Sequence, residues 1–340
     1  MSYLNKISTL VGSCTALAAA TVVATGLSVT AASSADSFTL AHPMPPEHIF
    51  HPTSEKFMEA LGENFEVEYH PGGDLGDWTS LFEQAMQGAV PMTMTFAATD
   101  FDPRLNVFIT GYIIDNWEDA KKLYGPGGEM IPVYDEILEE LDLKLVGVLP
   151  VDFVGYAMRK GDGRLPVNLP EDAKGIKVRV PGLEIAIKRF ELLGFSPVPM
   201  PFSELYTALQ LGTVDGRTFG PPAEIWQMRD VLESYVYSRD YFEHAFWLVN
   251  KSWYEGLEEE DRAKLQAAVD TAVDWAWAEA KTISDENLAK IKDAGINVVE
   301  LDEEQLAKVQ KIVREEEWAA MEEIIGSDLM NKIKSAAGVN

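Results

Sequence analysis

The stretch from Leu257 to Asp293 constrains the fold more than any other feature of this chain. Apolar residues recur there at Leu265, Ala268, Val269, Ala272, Val273 and Trp275/Ala276, a spacing that lays one stripe along a helix. Helices of globular domains average about three turns. One this long outruns a single small core and predicts a brace lying across two. A second helical stretch, Glu303–Ala336, carries Leu306, Val309, Ile312 and Val313 on one face. The 340 residues are enough for two lobes with their own cores.

Ahead of the long helix, strands and helices alternate, which argues for α/β layers. Predicted strands are Phe38–Ala41, Phe65–Tyr69, Val90–Phe96 and Lys144–Val148, separated by helices near Pro52–Leu61, Trp78–Gln87, Trp117–Tyr124 and Met130–Leu141. A second unit starts around Val154–Arg159. It contains strand Ile176–Val180, helix Leu183–Leu193, strand Val198–Pro201 and helix Ser203–Leu211. Phe246–Asn250 is a further strand, after which the chain reads as almost wholly helical. The expected organisation is 36–153 with 245–283 in one lobe and 154–244 with 284–340 in the other. A ligand cleft between such lobes is a usual outcome.

The first 35 residues read differently. Lys6 is the only charge before Asp36, an apolar run follows it, and Ser33-Ser34-Ala35 closes that run with small residues. These are the parts of a secretory signal. Ser, Thr and Gly break the run, which falls short of the ~20 strongly apolar residues of a membrane span. Cys14, the one cysteine, precedes most of the apolar run, whereas a lipid-bearing cysteine ends it. Cleavage after Ala35 would leave no thiolate for catalysis, disulfide or zinc, which suits an oxidising compartment such as the periplasm.

Charge narrows the partners. Lys+Arg number 28 and Asp+Glu 55, a net charge of −27, and loss of Lys6 makes it more negative still. Such a surface repels nucleic-acid phosphates and anionic lipid heads. Neither nucleic acid nor, once the signal is gone, the membrane is an expected partner. A composition of 46% hydrophobic and 24% charged residues is that of an ordinary globular protein.

Catalytic motifs are scarce. The sequence holds no G-x-S-x-G elbow, no H-E-x-x-H and no P-loop, so no enzyme and no cofactor is expected. His42, His48 and His51 share a loop with Glu47. Imidazole and carboxylate suit zinc, but the spacing matches no tight ligand pattern. Arg179 ends a short strand before a turn, in Gly175-Ile176-Lys177-Val178-Arg179-Val180-Pro181. A guanidinium there offers a fork to a carboxylate or sulfonate. On its own the residue is equally a structural ion pair, which is the commoner case.

The segment Leu169–Pro181, followed by Pro199-Met200-Pro201-Phe202-Ser203-Glu204-Leu205-Tyr206 through Val214-Asp215-Gly216, resembles the dicarboxylate-type receptors of tripartite ATP-independent periplasmic (TRAP) transporters. Tyr69-His70-Pro71-Gly72-Gly73-Asp74-Leu75-Gly76-Asp77 and Gln87-Gly88 resemble the same family. The resemblance spans essentially the whole chain after the signal. It implies a two-lobed periplasmic binding protein, type II-like, with crossing strands and a long bracing helix, working with membrane TRAP permease subunits. It also implies that Arg179 pairs with the ligand's acid group, that Phe202 packs on the ligand, and more weakly that Arg159 is a second ligand-binding cation.

Departures from the family pattern shape the expected ligand. Where many members have Gln-Glu-Asn-Pro, with the Asn on the substrate, this chain has Arg217-Thr218-Phe219-Gly220-Pro221-Pro222. That places Phe219 at the Asn position, with Thr218 beside it. Trp78 and Phe96 fall where the sialic-acid-binding members carry carboxylates. A polyhydroxylated sugar acid would leave hydroxyls unpaired against these rings. Two ligand classes remain. One is a compact carboxylate or sulfonate with an apolar body. The other is a betaine- or ectoine-like zwitterion, its acid on Arg179 and its cation among Trp78, Phe96, Phe202 and Phe219, with help from Glu47. A periplasmic sensor presenting its ligand to a signalling receptor is the rival function.

Overall fold

The computed structural model describes residues 36–339. The expected signal segment, its Ser33-Ser34-Ala35 exit and Cys14 lie outside the described residues. In chain order the strands are β1 (Asp36–Ala41), β2 (Phe65–His70), β3 (Met92–Thr95), β4 (Leu143–Phe153), β5 (Gly155–Arg159) and β6 (Lys177–Val180). They continue with β7 (Ser196–Pro199), β8 (Gly216–Gly220), β9 (Leu232–Tyr237), β10 (Phe242–Asn250) and β11 (Asn297–Glu300). They form two mixed sheets, ordered β2-β1-β3-β10-β4 and β11-β9-β5-β8-β6-β7. The fold is α/β and two-lobed.

The two sheets are joined where strands run from one into the other. Only Val154 separates β4 from β5, and only Ser238–Tyr241 separates β9 from β10. The backbone N–H of Val154 donates to the Tyr241 carbonyl at 3.0 Å, tying the two crossovers together. Next to this junction β10 slips register against β4, between Glu243 (opposite Asp152) and His244 (opposite Pro150). Such a bulge re-aims the side chains around it.

The brace is the helix Glu259–Asp293, 35 residues and so about 52 Å long at 1.5 Å per residue. It begins two residues later than the apolar pattern, because Leu257 and Glu258 are extended. Glu259, Glu260 and Asp261 occupy its first turn and Lys290 and Lys292 its last, each sign suited to the helix dipole. Its buried stripe runs from Leu265 to Ile291 and includes Trp277 rather than Trp275. The helix lies close on β4, since a Cβ at Gly147 would stand 2.8 Å from a Val273 methyl. Gln266 and Trp277 donate to the Val146 and Val148 carbonyls, each at 3.0 Å. Farther along, the helix packs on the short helix Pro222–Gln227 and on β11 in the second lobe.

The structure adds strands that the sequence did not announce. β8, β9 and β11 have no counterpart in the sequence reading, and β11 interrupts a tail expected to be helical. It is four residues long and survives as an edge strand paired parallel to β9. The remaining tail is broken into Glu303–Ile312, a π turn at Val313–Glu317, Trp318–Ile325 and Ser327–Ala336. Gly326, at φ +83° and ψ +154°, takes a backbone conformation open to glycine and parts the last two. The tail touches both lobes, through Lys308–Glu171 and through Lys332–Glu136 at 3.2 Å. Among the described residues no helix is long and apolar enough to cross a membrane.

Candidate functional site

Between the lobes lies a cavity of about 540 Å³, within the size range of small-molecule sites. The first lobe supplies Trp78, Phe96, Phe108 and Ile109 to its wall, and the second supplies Arg179, Phe202, Phe219 and Glu224. Tyr241 and Glu243 come from the strand crossover.

The first-lobe wall is held by local chemistry. Asp77 caps the helix Trp78–Met86 by accepting from the Ser80 N–H at 2.9 Å. The Thr95 hydroxyl donates to the Trp78 carbonyl at 2.8 Å, fixing the start of that helix beside β3. Gly76, at φ +125°, has no room for a side chain, because a Cβ would meet the Ser80 hydroxyl at 2.6 Å.

On the other side, Arg179 is 4% exposed. Its Nε donates to the Met200 carbonyl at 2.9 Å, and its guanidinium lies 5.9 Å from the centre of the Phe202 ring. The rest of the guanidinium makes no hydrogen bond or ion pair with the described residues. Burial, then the neighbouring charge of Arg217, pulls Arg179 down to about 10, so at neutral pH it is a cation lacking a contacting counterion.

Arg217 is buried beneath it but already engaged. It forms an ion pair with Glu224 and donates to the Phe219 carbonyl at 2.9 Å. Phe219 has φ +51°, a left-handed backbone that a bulky residue adopts only under constraint. Its ring rests against Phe190 and Tyr241, with centroids 6.0 and 5.7 Å away. Glu243 is also unengaged. Its Oε2 is enclosed without a partner, as is the Tyr241 hydroxyl. Burial, reinforced by Glu224, pushes the Glu243 carboxyl well above the usual range, against the opposing pull of Arg217 and Arg179.

Of the residues singled out from the sequence, the structure brings Arg179, Trp78, Phe96, Phe202 and Phe219 to this one cavity. Three others stand apart. Glu47 is exposed on its loop, although Pro45 nearby reaches the wall. Arg159 lies over the Gly212 turn, where a Cβ would sit 3.4 Å from its guanidinium carbon. Thr218 is buried behind the wall, its hydroxyl donating to the Arg179 carbonyl at 2.9 Å. It therefore supports the strand that carries the arginine. Sequence reasoning missed Phe108, Glu224, Tyr241 and Glu243.

The loop histidines lean on neighbouring aromatic residues, with His42 Nδ1 and His48 Nε2 enclosed without a hydrogen-bond partner. His42 Nε2 and His51 Nδ1 each lie 2.8 Å from the Tyr69 hydroxyl, and the His48 ring meets Phe50 edge-on with centroids 4.4 Å apart. Burial lowers His42 to about 4, helped by His51, and His48 to about 3, helped by His42.

With this geometry in place, likeness to known proteins becomes informative. The sequence pattern of bacterial extracellular solute-binding proteins, family 7, matches residues 40–323. The chain belongs to that family. It is accordingly a periplasmic receptor of the TRAP type, in a family of solute-binding proteins rather than enzymes. One relative, the C4-dicarboxylate-binding periplasmic protein DctP of Rhodobacter capsulatus, is 29% identical over 338 residues, 94% of this chain and 97% of its own. The periplasmic ectoine-binding protein of the TeaABC TRAP-transporter of Halomonas elongata superposes with a TM-score of 0.82 at 22% identity, covering 89% of this chain and 99% of its own. The sugar acid binding protein DctPAm of Advenella mimigardefordensis, in complex with galactonate, gives 0.81 at 21%, covering 89% and 97%. At such identities the two structures speak for the fold alone.

Proposed function

We propose that this receptor captures a small organic acid, carboxylate or sulfonate, through Arg179 and delivers it to the membrane subunits of a TRAP transporter. The supporting observation is the state of Arg179: a buried cation on a cavity wall whose only hydrogen-bond partner among the described residues is one backbone carbonyl. An acid group entering the cavity would supply the missing counter-charge as a charge-assisted, forked pair. The solutes of the relatives named above, C4-dicarboxylate, ectoine and galactonate, differ widely but all carry a carboxylate. The rings of Trp78, Phe96, Phe202 and Phe219 favour a compact body with apolar faces over a densely hydroxylated one.

A thermal-shift screen of carboxylates and sulfonates followed by calorimetry tests this reading. Arg179→Ala should cost ~2–5 kcal/mol of affinity, as when one partner of a buried charge pair is removed. Near-native binding by the variant would remove Arg179 from the site.

A further inference from the structure

We infer that the cavity is built for a ligand with two poles, an acid group on Arg179 and a cationic, N–H-donating or alkylated ammonium group against Glu243. This rests on the reading of Arg179 above and sharpens it from an organic acid to a zwitterion.

Glu243 lines the cavity with an enclosed, unpartnered Oε2, and its carboxylate makes no hydrogen bond or ion pair with any described residue. Neither nearby cation contacts it. Arg217 gives its Nη2 to Glu224 and the Phe219 carbonyl, leaving its Nε enclosed without a partner. Arg179 feels the charge of Glu243 and is felt by it, yet the two are not in ion-pair contact. Both groups thus line one cavity, Arg179 without a contacting counter-charge and Glu243 without a hydrogen-bond partner. Burying polar groups without partners is costly, and a zwitterion bridging them answers both at once.

Two further features favour a positive pole at Glu243. The bulge between Glu243 and His244 falls at the crossover, the kind of irregularity that re-aims a side chain. Aromatic rings also gather there, with Tyr241 5.7 Å from Phe219 and 6.2 Å from Phe108 between centroids, and ring faces attract alkylammonium groups.

Protonation supplies a second signature. The charged groups facing Glu243 are Glu224, Arg217, Asp152 and Arg179, with Tyr241 and His244 flanking it in sequence. His244 is held neutral by burial, at about 3. Burial, then Glu224, shifts the Glu243 carboxyl towards its protonated form. A cationic pole would displace that proton. Zwitterion binding should therefore release a proton and tighten as pH rises towards the Glu243 midpoint, by up to about tenfold per unit.

The test uses matched probes that differ in one atom's charge: glycine betaine against 3,3-dimethylbutanoate, and proline against cyclopentanecarboxylate, at millimolar concentration. Each is measured by thermal shift and calorimetry on the wild-type receptor, on Glu243→Gln and on Arg179→Ala. At least one zwitterion should bind the wild type roughly tenfold or more tightly than its carbon analogue, an interval fit for a charge pair with ring contacts. Glu243→Gln should erase that preference while keeping the acid. Calorimetry of the wild type in two buffers of different ionisation heat reads the released proton without any variant. The proposal is overturned if the carbon analogues bind as well as the zwitterions, if no zwitterion binds, or if no proton is released. Simple acids that bind through Arg179 without a cation preference would leave the organic-acid reading standing. Binding of either class that is indifferent to Arg179→Ala would sink that reading instead.

Discussion

Arg179 and Arg189 are both buried arginines of the second lobe, both lie against a phenylalanine ring, and they differ in one respect. Arg189, on the helix Glu184–Leu192, is completely answered by its own protein. Its Nε and Nη2 donate to Glu317 at 2.7 and 2.9 Å, its Nη1 reaches Asp240 at 3.3 Å, and it also donates to the Ile109 carbonyl. Burial pulls its pKa down, but Glu317 and Asp240 outweigh that and leave it above the ordinary arginine value. Arg179 has one carbonyl and is pulled below that value. Burial, then, does not separate the two arginines. The missing counter-charge does.

The comparison can be broken most forcefully at Arg189. Arg189→Met leaves Glu317 and Asp240 buried without their cation and should destabilise folding by ~3–5 kcal/mol, read as a lower midpoint in urea. Arg179→Met, in the same assay without ligand, should leave the midpoint near wild type or raise it, because an uncompensated buried charge is removed. Equal destabilisation by the two would erase the distinction. A smaller effect is expected at Gly111, where a Cβ would stand 2.8 Å from the Arg189 guanidinium. Gly111→Ala crowds the satisfied network and should cost ~1–3 kcal/mol, without touching Arg179. The smallest belongs to the exposed pair Lys308–Glu171. Lys308→Ala should leave the urea midpoint close to wild type, since solvent screens an exposed pair, and so sets a baseline for reading the buried pairs.

Much of this was legible in the sequence. The stripe on the long helix announced the brace, because its 3.6-residue period is sustained over many turns. Arg179 and the rings at 78, 96, 202 and 219 were found through motif position, and all five reach the cavity wall. Glu224 and Glu243 were not found, for a physical reason. Among 55 acidic residues, nothing local distinguishes one drawn inward by a bulge from one on a solvated helix face. Glu47 failed the other way. Its loop touches the cavity, but the turn after Pro45-Pro46 leaves this side chain in solvent. The missed strands β8, β9 and β11 are short, and strand pairing across the chain, not local pattern, defines them.

The single-residue link at Val154, tied to Tyr241, carries a mechanical consequence. With so short a tether the sheets cannot slide apart, and any closing motion must swing about this point. Glu243, three residues from Ser238–Asp240 and next to the tether, sits near the pivot and travels little. Arg179 lies farther out, on β6, two strands from the junction. On the two-pole reading, the span from this fixed hub to the arginine gauges the length of solute the crevice holds.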